Sequence, residues 1–197
     1  MTLLLSSASI HVWADEIKSS SLGYQVNLPR TLVMVPRELF TAQTKLPAGH
    51  FLQEIIPPLI QSGQAQTHDF FFWKGTLFDR YKDHIRIGLL NEAPPKDRVS
   101  AEQFCNNFHV ILSTVYQKYA QIYQCAFIKN GHQNILYTEY DGSNNDSLIM
   151  TVHVPLTDRQ ALEVTASVNL QHINQRRTDF LSFINQLSAS IPDPIHK

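Results

Sequence analysis

The chain has 197 residues, with 16 basic and 17 acidic side chains, so its formal net charge is −1 at neutral pH. Nucleic-acid binding by phosphate neutralisation requires a clustered excess of Lys and Arg, and this composition excludes it. No apolar stretch reaches the roughly 18 uncharged residues of a membrane span. A hydrophobic content of 43% is typical of a single globular domain.

The first 14 residues contain no charged side chain, include the run Leu3-Leu4-Leu5 and end with Ala14. An apolar stretch closed by a small residue is typical of the second half of a secretory signal peptide. No Lys or Arg precedes the run, so the alternative is a short buried strand. We predict a signal peptide over 1–14, a flexible tether over 15–22, one domain over 23–190 and a flexible tail over 191–197.

The first half of the domain predicts a mixture of strands and one interrupted helix. Residues 24–28 and 31–35 alternate in hydrophobicity around a turn, which predicts a hairpin. Residues 50–63 carry apolar side chains at helical spacing, and the prolines within them predict a kink. Extended segments are predicted over 69–78 and 84–90.

The second half predicts one long helix, several strands and a closing helix. Ser100, with Gln103 three residues later, has the pattern of a capping box, and the apolar spacing that follows predicts a helix to residue 122. Asn130-Gly131 predicts a hairpin turn between 125–128 and 135–140. Further strands are predicted over 148–154 and 161–170, and a last helix over 178–187.

These elements predict an α+β fold. An antiparallel sheet with a C-terminal three-strand meander packs against the long amphipathic helix and the C-terminal helix. A doubly wound parallel sheet would require regular alternation of strands and helices, which consecutive strands exclude.

Four consecutive aromatic residues, Phe70, Phe71, Phe72 and Trp73, place rings on both faces of an extended segment. One interpretation is a central strand that is covered on both faces. The other is a patch for a protein partner or a small apolar ligand.

The two cysteines, Cys105 and Cys125, suit a disulfide in an oxidising compartment. If the helix runs to residue 122, the bond requires a tight reversal near Gln121 or a strand that crosses the helix. The alternatives are two separate buried thiols, or a thiol whose pKa is lowered by His109 one helical turn away.

The nine histidines are spread singly, without the spacing of a known metal site. No nucleophile elbow and no phosphate-binding loop is present, and the adjacent pair His68-Asp69 lacks a nucleophile. The sequence therefore predicts no catalytic residue, no metal and no cofactor.

The order of elements resembles the Mog1/PsbP-like family of small α+β domains, which is sometimes grouped with bacterial DcrB. The resemblance covers about residues 23–188 and rests on the opening strands, the strand over 84–90 before the helix over 101–119, and the final strands and short helix. It implies a non-catalytic role in binding or assembly.

We therefore expect a non-enzymatic protein that is exported to the periplasm of a Gram-negative bacterium or secreted. It would bind a protein partner in an envelope or secretion assembly, without nucleic acid and without a membrane span. The rival hypotheses are a hydrolase with an unrecognised His/Asp site and a carrier of small apolar ligands. The sequence leaves the oligomeric state open.

Overall fold

The computed structural model describes residues 16–40, 46, 48–116, 120–142 and 146–189. The signal peptide predicted over 1–14 and the tail predicted over 191–197 lie outside these residues. Within them, no helix combines the length and the apolar character that crossing a membrane requires.

The larger of two sheets has seven strands, each antiparallel to its neighbours, in the spatial order β3-β4-β5-β9-β8-β7-β6. Its strands are β3 (Leu32–Met34), β4 (His68–Trp73), β5 (His84–Leu90), β6 (Ile122–Asn130), β7 (Gln133–Asp141), β8 (Ser147–Pro155) and β9 (Ala161–Asn169). The smaller sheet has the order β1-β2-β10, with β1 (Glu16–Ser19), β2 (Tyr24–Leu28) and β10 (Leu187–Ala189).

The helices of the described residues are α1 (Ile56–Gln61), α2 (Gln64–Thr67), α3 (Arg98–Tyr116) and α4 (Ile173–Asn185). Short 3₁₀ turns occur at Arg37–Phe40, Phe51–Gln53, Lys74–Thr76 and Leu170–His172. The predicted α+β class is confirmed, and β6 to β9 form a meander of four strands.

The large sheet has two differently covered faces. On the first, which we call the α4 face, α4 and the small sheet bury the main core, in which Phe71 meets Phe183 with ring centroids 5.2 Å apart. On the opposite face, which we call the α3 face, the α1 region packs on Phe70 and Phe72, and α3 packs at the other end on Tyr140. Polar side chains occupy the strip between these two covers.

Buried carboxylates join the layers on the α4 face. Glu139 receives hydrogen bonds from Arg177 at 2.6 and 2.9 Å and from Tyr137 at 2.6 Å. Burial acts to raise the pKa of Glu139, but these hydrogen bonds outweigh it and hold the pKa below its ordinary value. Burial and the neighbouring carboxylate raise the pKa of Tyr137.

The predicted opening hairpin is wrong, although both of its strands exist. β2 pairs with β1 and β10, whereas β3 pairs with β4 in the other sheet. Residues 16–19, which we assigned to a flexible tether, form β1 along β2. Local alternation identifies a strand, but only long-range packing selects its neighbour.

Three predicted helix boundaries also differ from the structure. Pro57 and Pro58 lie in the first turn of α1, where proline replaces an N–H that would have no helical partner, so they begin a helix rather than kink one. The carboxylate of Asp97 accepts the N–H of Ser100 at 2.8 Å, and α3 begins at Arg98. The closing helix α4 begins five residues before the predicted start, at Ile173.

Candidate functional site

The turn between β4 and β5 presents a large aromatic side chain to solvent. Residues 77–82 form this turn, which we call the Phe78 loop, and Phe78 is 81% exposed. The phenyl ring is therefore placed outside the core, although phenylalanine is among the most frequently buried residue types.

The backbone around Phe78 is fixed by hydrogen bonds at both ends of the loop. The Trp73 N–H donates to the Asp83 carbonyl at 3.2 Å, and the Asp83 N–H donates to the buried Thr76 hydroxyl at 3.1 Å. Within the loop, the Asp79 N–H donates to the Thr76 carbonyl at 3.2 Å, and the Lys82 ammonium donates to the Asp79 carbonyl at 3.1 Å. Phe78 thus projects from an ordered loop.

A buried carboxylate anchors the C-terminal end of the loop. Asp83 is completely buried and accepts hydrogen bonds from Arg176 Nε at 2.8 Å and from the Asn169 N–H at 2.8 Å. His172 Nδ1 lies 2.9 Å from the same carboxylate, and the Arg176 guanidinium stacks on Trp73 with its carbon 4.9 Å from the ring centroid. The start of α4 is thereby tied to the base of the loop.

The surroundings of Phe78 combine apolar surface with positive charge. Lys74 and Arg80, four residues before and two residues after Phe78, are exposed, with Asp79 as the exposed acid of the same stretch. Leu170 is 40% exposed and belongs to the 3₁₀ turn that also carries His172, so it lies at the same end of the sheet. Aromatic residues are enriched in the cores of protein–protein interfaces, whose rims are polar.

A second polar site, which we call the central cleft, lies on the α3 face between the two covers. The register places Arg86 beside Thr165, while Glu163 lies beside His153 in the next row. His68 lies across from Gly88, and a Cβ at that glycine would approach the imidazole to 2.7 Å. Glycine at position 88 therefore makes room for the ring.

The charged groups of the central cleft make loose contacts. Arg86 Nη2 lies 3.5 Å from Glu163 Oε1, and His153 Nε2 lies 3.8 Å from Glu163 Oε2. Contact with His153 and the charge of Arg86 hold the pKa of Glu163 below its ordinary value, against the effect of burial. Burial and the charge of Arg86 lower the pKa of His68, so its imidazole is neutral at neutral pH.

An imidazole beside a carboxylate is one requirement of general-base catalysis, and a nucleophile within hydrogen-bond reach is another. The threonine hydroxyls of the cleft, Thr151 and Thr165, lie 3.3 Å from each other. A His–Asp pair outside the cleft, His172 and Asp83, shares its carboxylate with Arg176. Among the described residues, no group of three or more His, Cys, Asp or Glu side chains is placed to hold a metal ion.

The aromatic run does not form the surface patch that one interpretation expected. Phe70, Phe71, Phe72 and Trp73 are between 0% and 3% exposed in β4. Phe71 and Trp73 fill the core of the α4 face, and Phe70 and Phe72 pack under the α1 region. A pocket for an apolar ligand along this run is likewise filled by packed side chains.

The structure contains the Cys105–Cys125 disulfide, with a Cα–Cα distance of 5.5 Å. A helix to residue 122 would have required a tight reversal near Gln121 or a strand that crosses the helix. This requirement does not apply because α3 ends at Tyr116, six residues before the predicted end. From Cys105 to Tyr116 the helix rises about 17 Å, and nine further residues are long enough to return to Cys125. The thiol is consumed in the bond, so it forms no reactive pair with His109.

Sequence reasoning did not identify the residues that matter most at either site. His68 and Asp69 are adjacent in β4 and therefore point to opposite faces, and Asp69 bonds Tyr24 and Arg37 at 2.7 Å each on the α4 face. Phe78 follows Gly75-Thr76-Leu77 and precedes Asp79-Arg80, and the charged residues after it were the available signal for exposure. Nothing in the sequence indicates that Arg86 and Glu163 are neighbours.

These features define an α+β domain in which an antiparallel sheet carries helices on both faces, and the chain has a Mog1/PsbP-like fold. The solution structure of cyanobacterial PsbP (CyanoP) from Synechocystis sp. aligns with a TM-score of 0.54 and 11% identity, over 94% of this chain and 98% of that chain. The crystal structure of the Saccharomyces cerevisiae Ran-binding protein Mog1p aligns with a TM-score of 0.47 and 11% identity, over 85% of this chain and 90% of that chain. No protein-family model and no curated protein matches the sequence.

Proposed function

We propose that this protein is a non-enzymatic binding module that docks on a protein partner through the Phe78 loop. The observation that carries the proposal is the 81% exposure of Phe78 on a loop that is closed by hydrogen bonds to buried groups. An ordered loop loses little backbone conformational entropy on binding, so this cost offsets less of the free energy gained by burying the ring. A Mog1/PsbP-like fold is compatible with a protein-binding role.

The charge around the ring supports a partner of particular chemistry. Lys74 and Arg80 are exposed and lie four residues before and two residues after Phe78 in the chain, whereas Lys82 is 13% exposed and pairs with Glu54 at 3.3 Å. The partner would offer an apolar pocket for the phenyl ring and acidic groups at its rim. Complementary charge of this kind increases the association rate and selects the partner.

We further propose that the protein is exported to the periplasm or secreted, and that its partner belongs to an envelope or secretion assembly. The disulfide supports an oxidising compartment. The uncharged stretch over 1–14 supports a cleaved signal peptide.

The intact mass of the protein from an envelope fraction tests the proposed export. We expect a chain that begins at Asp15 and is lighter by the two hydrogens lost on oxidation. A full-length, reduced chain would contradict export.

The docking surface is tested by site-specific photo-crosslinking in cells that express the chain. A benzophenone amino acid at position 78 is expected to give a defined adduct with one protein, identified by mass spectrometry. The matched control is position 17, because Ile17 is also an exposed apolar residue, at 70%. The same adduct from both positions would contradict a specific surface.

Binding of the identified partner is then compared between the wild-type protein and two variants. Loss of a central hot-spot side chain costs about 2 kcal/mol or more, so Phe78→Ser is expected to raise Kd by about 30-fold. Ile17→Ser is expected to leave Kd unchanged. An unchanged Kd for Phe78→Ser, in a variant with the wild-type unfolding midpoint, would overturn the proposal.

A further inference from the structure

The far edge of the large sheet is a long strand with little protection. β6 has nine residues and, among the residues that the structure describes, pairs with β7 only. The opposite edge, β3, has three residues. Alternate residues of an edge strand direct both backbone hydrogen-bonding groups outward, so β6 offers about four such residues to a further strand.

Natural edge strands are usually protected by charged residues, prolines or bulges. β6 contains one charged residue, Lys129, and no proline. Its one irregularity in the pairing with β7 lies between Ile122 and Gln124, so the register is regular from Gln124 to Asn130. Ala126, Phe127 and Ile128 are partly exposed along this regular part.

We propose that β6 pairs antiparallel with β6 of a second copy of this chain, so that two seven-stranded sheets join into one. A twofold axis through Ala126 brings Ala126 opposite its own copy, where the small side chain avoids a clash. In this register Ile128 lies opposite Gln124, and Lys129 falls opposite the irregular, uncharged position Tyr123. No like charges therefore meet across the new strand pair.

The groove beside β6 supports a second copy as the occupant. It lies between α3 and β6, has a volume of about 420 Å³ and is lined by Arg98, Glu102, Asn106, Ala126 and Phe127, among others. The disulfide holds α3 above the strand at this groove. A twofold axis perpendicular to the sheet keeps both α3 helices on the same face, so the two grooves meet.

The charges at the rim of the groove are self-complementary. Arg98 Nε lies 2.8 Å from Glu102 Oε1, and the two side chains are 86% and 60% exposed. Each copy thus brings one cation and one anion to the rim of its groove, so two grooves that meet add no net charge from this pair. The Phe78 loop follows β4, about five strand spacings or 24 Å from β6. The dimer leaves it free, so this inference does not rest on the proposed function.

Sedimentation equilibrium of the oxidised full chain, from about 1 to about 200 µM, tests the proposal. We expect a concentration-dependent monomer–dimer equilibrium. Ala126→Lys places two ammonium groups opposite each other across the axis and is expected to raise the dimer Kd at least about tenfold. Ser182→Lys makes the same charge change on the exposed surface of α4 and is expected to leave the Kd unchanged.

A mixture of variants provides the decisive measurement, because residue 126 faces its own copy only in the proposed register. Ala126→Lys and Ala126→Glu are each expected to dimerise at least about tenfold more weakly than the wild type, whereas their equimolar mixture is expected to form heterodimers. Hydrogen exchange of the wild-type protein should also show protection of alternate amides over 124–130 that increases with concentration. A wild-type chain that stays monomeric, an Ala126→Lys dimer of unchanged Kd, or a mixture without heterodimers would overturn the proposal.

Discussion

Arg176 of α4 and Asp83, the residue before β5, form a buried ion pair, with Nε 2.8 Å from Oδ2. Asp83 is fully buried, and the Arg176 side chain is 13% exposed. Removal of one partner from a buried pair costs about 3 kcal/mol, and without Asp83 the carboxylate of Asp179, 3.3 Å from Arg176 Nη1, is the other anion beside the guanidinium. We expect Asp83→Asn to lower the free energy of unfolding by about this amount in urea denaturation.

The matched control for this pair is Asp158→Asn. Asp158 pairs with Lys96 at 3.0 Å, but its side chain is 96% exposed. Water screens such a pair, so its loss should leave the free energy of unfolding unchanged within error. Equal effects of the two substitutions would show that burial does not strengthen the Asp83 pair.

Reduction of the Cys105–Cys125 bond is expected to destabilise the protein. The bond joins residues 20 apart in sequence. Restriction of a loop of this size in the unfolded chain contributes about 3 kcal/mol. Urea denaturation with and without reductant should show this difference, and the double variant Cys105→Ser/Cys125→Ser should have the reduced stability under both conditions. A variant that still responds to reductant would assign the effect to another cause.

Gly88→Ala is expected to destabilise the protein by about 1 kcal/mol through its contact with His68. The new methyl group would lie 2.7 Å from Cδ2 and Nε2 of the imidazole. Adding His68→Ala to Gly88→Ala should restore stability, because the two side chains compete for one space. A Cβ at Gly75 would lie 3.9 Å from Nη2 of Arg176, an ordinary contact, so Gly75→Ala serves as the neutral control. Additive effects of the two changes at 68 and 88 would contradict the contact.

Stability is expected to fall as the pH falls below neutral. Burial lowers the pKa of His68 and His84 from the ordinary value of 6.5, with Arg86 adding to the effect. The folded protein then binds fewer protons than the unfolded chain, so this stability is complete above pH 6.5 and is lost as the pH falls through the lowered pKa values. The same sign holds for Glu139 and Glu163 below their ordinary value of 4.5.

The measurement is the urea midpoint at about pH 7.5, 5.5 and 4. The midpoint should decrease at each step. His84→Gln should flatten the first step, whereas His132→Gln, at an exposed position, should leave it unchanged. A midpoint that rises between neutral pH and pH 5.5 would contradict the assigned direction.

Most strands could be predicted from the sequence because hydrophobic alternation and turn residues act locally. The β6–β7 hairpin is an example, since Gly131 adopts a φ of 59° that the Asn-Gly turn requires. β10 was not predicted, because three residues after a helix have no pattern of their own and become a strand only beside β2. The buried position of the aromatic run was one of two interpretations, and local sequence does not separate them.

The limit of prediction from local sequence is clearer at the Asp83 anchor of the Phe78 loop and in the central cleft. Arg86 and Glu163 are 77 positions apart, and only the β5–β9 register brings them together. The contact of Arg176 with Asp83 likewise depends on where α4 crosses the sheet.

The sequence by itself determined the α+β class, the order of the main strands and the long helix, because side-chain periodicity and turn chemistry are properties of neighbouring residues. It also supplied the two cysteines of the disulfide. The tertiary structure alone decided which aromatic ring is exposed, which carboxylates are buried against arginines, and which strand forms the open edge. Those properties depend on strand pairing and helix packing between residues that are distant in the chain, and no local pattern encodes them.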